Sequence, residues 1–186
     1  MRRKDRELPE QEAIEIMQKA PYCVLSTAPL CVKDFTPKSQ NPCLDEHIFS
    51  IPLSFAYHSE RLFLHSAKSG RKMRFFKDET LVCAVFVGAV QVPDLFSKEE
   101  IRHLAHHQPK MLGSHIFTTE YESVIAYGRI YQLKEKEDIN QAMLLLCQKY
   151  MPDKVEFAPI SIETEIKHFN AYEVRIEQFS GKAKRL

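Results

Sequence analysis

A nine-residue stretch, Leu64-His65-Ser66-Ala67-Lys68-Ser69-Gly70-Arg71-Lys72, gathers chemically capable side chains at close spacing. It reads as a strand end, a turn of small residues, and the start of a helix over 69–77. The first N–H groups of a helix lack intrahelical partners, and the peptide dipoles there favour an anion. Ser69 suits the N-cap. Gly70 lets backbone and ligand approach closely, while Arg71 and Lys72 can donate charge-assisted hydrogen bonds to phosphate oxygens. The competing reading is a solvated helix face bearing Arg71, Lys72 and Arg74, and local chemistry leaves both open. The spacing is not that of a G-x-x-x-x-G-K phosphate loop.

His65 also carries two readings. An imidazole titrating near pH ~6.5 can donate a proton or a hydrogen bond to a reduced substrate, or it can be a strand-end histidine satisfied by backbone. His103, His106 and His107 fall on a short helix, where His103 and His107 are spaced to chelate a metal. Nothing fixes a third ligand beside them, so no metal site is expected. Cys23, Cys31, Cys43, Cys83 and Cys147 form no C-x-x-C pair, which removes zinc-knuckle and thioredoxin-type readings. Cys23, Cys83 and Cys147 sit in apolar patterns and read as small core residues. Cys31 and Cys43 share a loop, and a disulfide there is not expected in a reducing compartment.

The elements that position these groups follow from periodicity. Residues 9–20 form a helix, with Pro9 in its first turn and Ala13, Ile16, Met17 and Ala20 on one face. Residues 22–27 form a short strand. Residues 28–47, with Pro29, Pro37 and Pro42, form a loop, long enough to suggest a functional role. From Phe49 to Tyr57 a long strand puts Phe49, Ile51, Leu53, Phe55 and Tyr57 on one face. Ser50, Pro52, Ser54 and Ala56 line the other, a small-residue surface able to admit a flat ligand. Pro52 marks an edge or a bulge. A turn at His58-Ser59-Glu60 and the strand Leu62–His65 complete a hairpin.

Residues 81–92 return to strand, apolar or small on both faces and therefore expected to be buried on both. Residues 93–119 read as an insertion, with Ser97 and Glu100 as a capping box for a helix ending near His107. A strand over 120–133 and an amphipathic helix over 137–150 follow, the latter with Ile139, Ala142, Met143, Leu146 and Tyr150 on one stripe. Tyr172, Val174, Ile176 and Phe179 mark the last strand.

With 186 residues, 44% hydrophobic and 27% charged, the chain fits one globular domain over 1–186. A formal charge of +1 gives no reason to expect a nucleic-acid partner. No apolar run reaches the ~20 residues that span a bilayer, and the charged N-terminus lacks a signal's apolar core. A cytoplasmic protein is expected. The basic runs Arg2-Arg3-Lys4 and Lys182 to Arg185 are expected to hang in solvent.

The succession Ser50-Ile51-Pro52-Leu53-Ser54-Phe55, hairpin, His65-Ser66, Arg71-Lys72 resembles the flavin-binding core of pyridoxamine 5′-phosphate oxidase-like proteins. The nitroimidazole-resistance branch is the most similar. The opening Met1-Arg2-Arg3-Lys4-Asp5-Arg6-Glu7, the strand through Tyr57, and Phe117 to Gly128 extend the likeness. This resemblance implies a mainly β (α+β) fold, a split β-barrel of antiparallel strands with flanking helices, and FMN at a homodimer interface. Ser50, Ile51, Pro52, Leu53, Ser54 and Phe55 would lie along the isoalloxazine ring. His65 and Ser66 would border the ribityl chain and phosphate, Arg71 and Lys72 would hold the phosphate, and Ser123 would reach in from the second subunit.

In the nitroimidazole-resistance branch a histidine at the position of His65 lies at the active site, which makes His65 the catalytic candidate. Two departures bear on substrate: the segments 28–47 and 93–119 are longer than the family leads one to expect. Ser50 stands where the oxidase itself often has Arg, and residues recognising a vitamin B6 phosphate are not evident, so pyridoxamine phosphate oxidation is not expected. The leading expectation is an FMN-dependent oxidoreductase passing electrons from NAD(P)H to a small acceptor, nitroaromatics being one class. The alternatives are a non-catalytic flavin- or haem-binding protein of the same fold, for which His65, His115 or His168 are the candidate haem ligands, and a relative without cofactor.

Overall fold

The computed structural model describes residues 3–27 and 48–186, so the expected loop over 28–47, with Cys31 and Cys43, lies outside the described residues. In chain order the elements are a 3-10 turn (Lys4–Arg6), α1 (Glu10–Lys19), β1 (Cys23–Thr27), β2 (Phe49–Leu53), β3 (Ala56–His58), β4 (Arg61–Ala67), a 3-10 turn (Arg71–Arg74) and β5 (Thr80–Gln91). They continue with α2 (Lys98–His107), α3 (Pro109–Met111), a π turn (Leu112–Ile116), β6 (Glu120–Gln132), α4 (Lys136–Tyr150), a 3-10 segment (Pro152–Phe157), α5 (Ala158–Glu165) and β7 (Phe169–Lys184). The described strands hydrogen-bond in the order β2-β1-β5-β6-β7-β4-β3.

The segment expected as one strand over 49–57 is two strands, and the break at Ser54–Phe55 explains the architecture. β2 ends one side of the sheet and β3 ends the other, yet only two residues separate them. Such a link spans on the order of 10 Å, so the sheet must curl until its two ends approach. That closure makes the α+β split barrel. Pro52 sits opposite Val24 on an end strand, where a missing N–H costs little. The small outward residues Ser50, Pro52 and Ser54 are exposed, whereas Ala56 is buried.

By contact density the described residues fall into two compact units, 20–86 with 125–179, and 1–19 with 87–124 and 180–186. In the first, Leu25, Phe55, Leu62, Leu64, Phe86, Ile130, Tyr172 and Val174 form the core, with Phe55 edge-on to Phe86 at 5.0 Å between centroids. The β3–β4 hairpin turns through Ser59 and Glu60, whose φ of 49° and 61° are both left-handed. Two such residues match the twist of the flanking strands, and His58 pairs with Arg61.

In the second unit, α1 buries Ala13, Ile16 and Met17 as its periodicity requires. The capping box of α2 forms as expected, with Ser97 Oγ accepting from the Glu100 N–H at 3.3 Å and the Ser97 N–H donating to Glu100 Oε2 at 2.7 Å. The C-terminal basic run does not hang in solvent. Lys182 bridges to Glu7 as part of β7, Lys184 donates to the Ser114 carbonyl and to Thr118, and Arg185 pairs with Glu12 and Glu122. Acidic partners and continuing strand pairing draw these cations in.

Three further expectations change. The 69–77 segment is a single 3-10 turn, because Gly70 at φ 99° places no side-chain cap at its start. Residues 81–92 are buried on one face only: Val82, Ala84 and Phe86 point inward, while Leu81 and Val87 are exposed and Cys83 and Val85 half-buried. Among the described residues nothing covers the apolar outer positions Leu81 and Val87. Residues 151–168 carry α5, which periodicity misses because its apolar residues lie on opposite sides, Ile162 buried and Ile160 exposed. Among the described residues no helix is long and apolar enough to cross a membrane.

Gly128 marks the tightest backbone approach. A Cβ there would lie 2.0 Å from the Arg175 carbonyl oxygen, inside any tolerable contact. Gly128→Ala is expected to destabilise the fold by about 2 kcal/mol or more. Urea denaturation followed by circular dichroism measures it, and an unchanged midpoint would refute the close approach.

Candidate functional site

β4 sets the faces of the candidate residues. Strand alternation turns Leu62, Leu64 and Ser66 inward, all buried, and leaves His65 exposed. The Ser66 hydroxyl donates to the Ala67 carbonyl at 3.3 Å, so its side chain serves local structure. The His65 ring meets Phe169 edge-on at 5.8 Å, and desolvation by neighbouring protein lowers its pKa from the ordinary histidine value. At pH 7 it is therefore a neutral imidazole, able to donate one hydrogen bond and accept another.

The Arg71–Arg74 turn is too short to present a helix dipole, which leaves side chains and the backbone at Gly70 as the groups able to meet an anion there. That turn is held from two sides. Phe75 stacks on Phe49 of β2 at 5.0 Å and 11° between planes, and the Arg71 guanidinium carbon lies 5.9 Å from the centroid of each ring. From β7, Asn170 Nδ2 and the Tyr172 hydroxyl each approach the Met73 sulfur at 3.6 Å. Lys72 Nζ donates to the Ser69 carbonyl at 2.9 Å, which folds its ammonium back over Gly70. The cations at 71 and 72 are thus fixed relative to the start of β2.

On β2 itself, the Ser50 and Ser26 hydroxyls are 2.8 Å apart. At the far end of the segment, the Tyr150 hydroxyl accepts from the Phe55 N–H at 3.0 Å and lies 3.1 Å from the Phe55 carbonyl and 2.9 Å from that of Pro21. Its one proton serves the two carbonyls in turn. This clamp holds both backbone groups of the residue at the β2–β3 break. The stripe that placed Tyr150 on the buried face of α4 gave no hint of the hydroxyl's partners. Its neighbour Lys149 sets Nζ 3.5 Å from the Phe55 ring centroid, buried and without a hydrogen-bond partner. Burial lowers its pKa to about 8, offset in part by Cys23. Burial likewise pushes the Cys23 thiol up to about 12, which makes it an inert core group.

The structure therefore brings Ser50 to Phe55, His65, Arg71 and Lys72 into one compact unit. Ser123, half-buried on β6, belongs to the other unit. The rings of His103 and His107 lie 4.3 Å apart on α2, and among the described residues no third histidine, cysteine or carboxylate joins them in a metal-holding group.

The model of the family described as pyridoxamine 5′-phosphate oxidase matches residues 9–183. The chain belongs to that family. Solved structures agree at the level of fold. A candidate 5-nitroimidazole antibiotic resistance protein from Bacteroides thetaiotaomicron superposes with a TM-score of 0.63 at 16% identity, over 95% of this chain and 86% of that one. The FAD and haem binding protein from Mycobacterium smegmatis gives a TM-score of 0.67 at 12% identity, over 96% and 72% of the two chains. The flavocytochrome Anf3 from Azotobacter vinelandii gives 0.65 at 14%, over 100% and 72%. No curated protein matches the chain in sequence. In this pyridoxamine 5′-phosphate oxidase family member, β2 ends the described sheet with small exposed side chains, and the His65 imidazole and the Arg71–Lys72 cations lie in the same unit.

The unpartnered Lys149 ammonium sets a pH dependence. Its folded pKa of about 8 lies below the ordinary 10.5, so the folded state holds fewer protons than the unfolded one between those values. The cost of the buried charge is present below pH 8 and disappears as pH rises toward 10.5. Lys149→Met is expected to melt higher than the parent at pH 7, with the gap narrowing from pH 8 to 10.5. A gap constant across pH in calorimetry would show that the amine is not titrating there.

Proposed function

We propose that the chain is a flavin-dependent oxidoreductase, binding FMN across a homodimer interface and reducing a small acceptor. The observation that carries this reading is the stacking of Phe75 on Phe49, which ties the Arg71–Arg74 turn to the first residue of β2. A strand edge with small exposed side chains and a pair of cations are thereby held at a fixed separation. The donor set suits the group: β2 is an end strand among the described residues, Gly70 gives close backbone access, and Arg71 with Lys72 suits a phosphate dianion. When bound, FMN supplies the transfer of hydride or single electrons.

Within this reading, residues 50–55 orient the ring by their backbone groups, and the Tyr150 clamp keeps that segment from shifting at Phe55. Ser66 contributes through its backbone, and Ser123 reaches the ring from the second copy. A second copy is also the fitting cover for the apolar positions left open in each unit, among them Leu81 and Tyr127 in one and Val87 and Val90 in the other. NAD(P)H is the proposed donor and a small nitroaromatic the proposed acceptor. His65, neutral at pH 7, donates a hydrogen bond to the acceptor and becomes a proton donor as pH falls.

The names of two solved relatives, which join flavin to haem, favour a second reading, a flavin- or haem-binding module without turnover. The visible spectrum of the purified protein separates the two cofactors, since haem gives a Soret band and flavin does not.

Replacing both Arg71 and Lys72 by Ala is expected to weaken FMN binding by about a hundredfold or more while leaving riboflavin binding nearly unchanged, since each charge-assisted contact contributes about 1.5–3 kcal/mol. Fluorescence titration with the two flavins reads this directly. Equal, small losses would return the pair to a solvated surface.

His65→Ala is expected to slow reoxidation of the reduced flavin by a nitroaromatic at least tenfold, on the order of general-acid effects, with FMN affinity intact. The difference should grow on acidification, because only the protonated imidazole donates a proton. Stopped-flow absorbance separates the two half-reactions. Reduced flavin that reacts with oxygen alone, at the rate of free FMN, would defeat the oxidoreductase reading.

A further inference from the structure

A polar cavity of about 290 Å3 opens among β4, β6, β7 and the start of α4, with all its lining in one unit. Its base is the Glu173 carboxylate, 4% exposed, which takes two guanidiniums: Arg175 on Oε1 at 2.6 Å and Arg61 on Oε2 at 2.9 Å. Arg61 and Arg175 are cross-strand partners on β4 and β7, and each remains about half exposed. The Arg175 guanidinium carbon also lies 4.3 Å from the Tyr131 ring centroid, which fixes its plane.

Two cations share one buried anion, so the triad carries a net positive charge at the cavity wall. Lys134, Asp78 and Asp138 complete the charged lining and bring the cavity as a whole to balance, so the positive charge is local to the two guanidiniums. Lys134 pairs with Asp78 at 3.4 Å, and the Asp78 carboxylate also accepts the Gln132 N–H at 2.8 Å. A guanidinium with one edge committed to Glu173 keeps further N–H donors for a second oxyanion. A pairing built only for stability gains little from a second, half-exposed guanidinium on the same carboxylate. Phe63 and Leu133 add apolar wall, the usual setting for a small ligand oriented by a few polar groups.

We propose that this cavity is a binding site for a small ligand bearing an oxyanion, carboxylate or phosphate, held by Arg61 and Arg175 with Glu173 as their positioning carboxylate. The site is separate from the Arg71–Lys72 cations and does not depend on the flavin reading. Calorimetric titration of the full chain with sodium benzoate and with inorganic phosphate tests it and distinguishes the two oxyanion classes. Saturable binding of one probe is expected, weakened about tenfold or more in Arg61→Gln and unaffected by the double Ala change at Arg71 and Lys72. Arg61→Lys keeps the charge beside Glu173 and loses the planar fork, so it should fold as the parent does and still bind more weakly. No saturable binding of either probe at millimolar concentration, or equal affinity in the parent and in Arg61→Lys, would overturn the proposal. Binding lost only in the Arg71–Lys72 double variant would overturn it too, by placing the anion at the other site.

Discussion

The two-residue crossing at Ser54–Phe55 is the constraint from which the rest of the candidate site descends. β2 and β3 lie at opposite ends of the hydrogen-bonded order, and a link this short leaves the sheet no option but to curl. Phe55 is fully buried against Phe86, its N–H and carbonyl both meet the Tyr150 hydroxyl, and the Lys149 amine covers its ring. The last turn of α4 thus fastens the place where the barrel is split. A strand edge that would otherwise be free to fray is held at one end by this clamp and at the other by the Phe49–Phe75 stack.

That arrangement divides the labour between apolar packing and polar capture. Inward residues of β4, Leu62 and Leu64, anchor the strand, and the intervening His65 is left at the surface with its ring resting on Phe169. The turn that follows gains rigidity from neighbours rather than from length. Met73 is gripped from β7 and Phe75 from β2, so a single 3-10 turn suffices where a longer helix was expected. Charge placement shows the same economy at the Glu173 triad, where one buried carboxylate orients two guanidiniums from adjacent strands.

Much of this was legible in the sequence. The period-2 pattern of residues 49–57, the turn before Arg61, the capping box at Ser97 and the stripe of α4 each reflect local rules; the turn, the cap and the helix formed, and the pattern was divided between two strands in place of one. What escaped detection depends on partners far away in the chain. The break at Ser54 follows from closure of the sheet, which strand alternation cannot register. The cap at Gly70 rather than Ser69 is set by its left-handed φ, and the pinning of Lys184 and Arg185 by acceptors 60 or more residues away in sequence. The Tyr150 hydroxyl was hidden because a tyrosine on a buried stripe signals only apolar burial until the acceptors across the fold are known. The outer face of β5, uncovered among the described residues, is a related case, since an apolar strand reads the same whether its second face meets its own chain or another.

The hairpin at Ser59–Glu60 has a consequence for how this family can vary. Its two left-handed residues fix the pairing of β3 with β4, and a strand shifted by one position exchanges its faces. An insertion or deletion of one residue at this turn would carry the imidazole of His65 into the core and the hydroxyl of Ser66 to the surface. Length polymorphism should therefore be purged here even while the exposed side chains at 59 and 60 vary among residues that tolerate a left-handed backbone. A turn that touches no ligand would in that way govern which functional group the barrel presents.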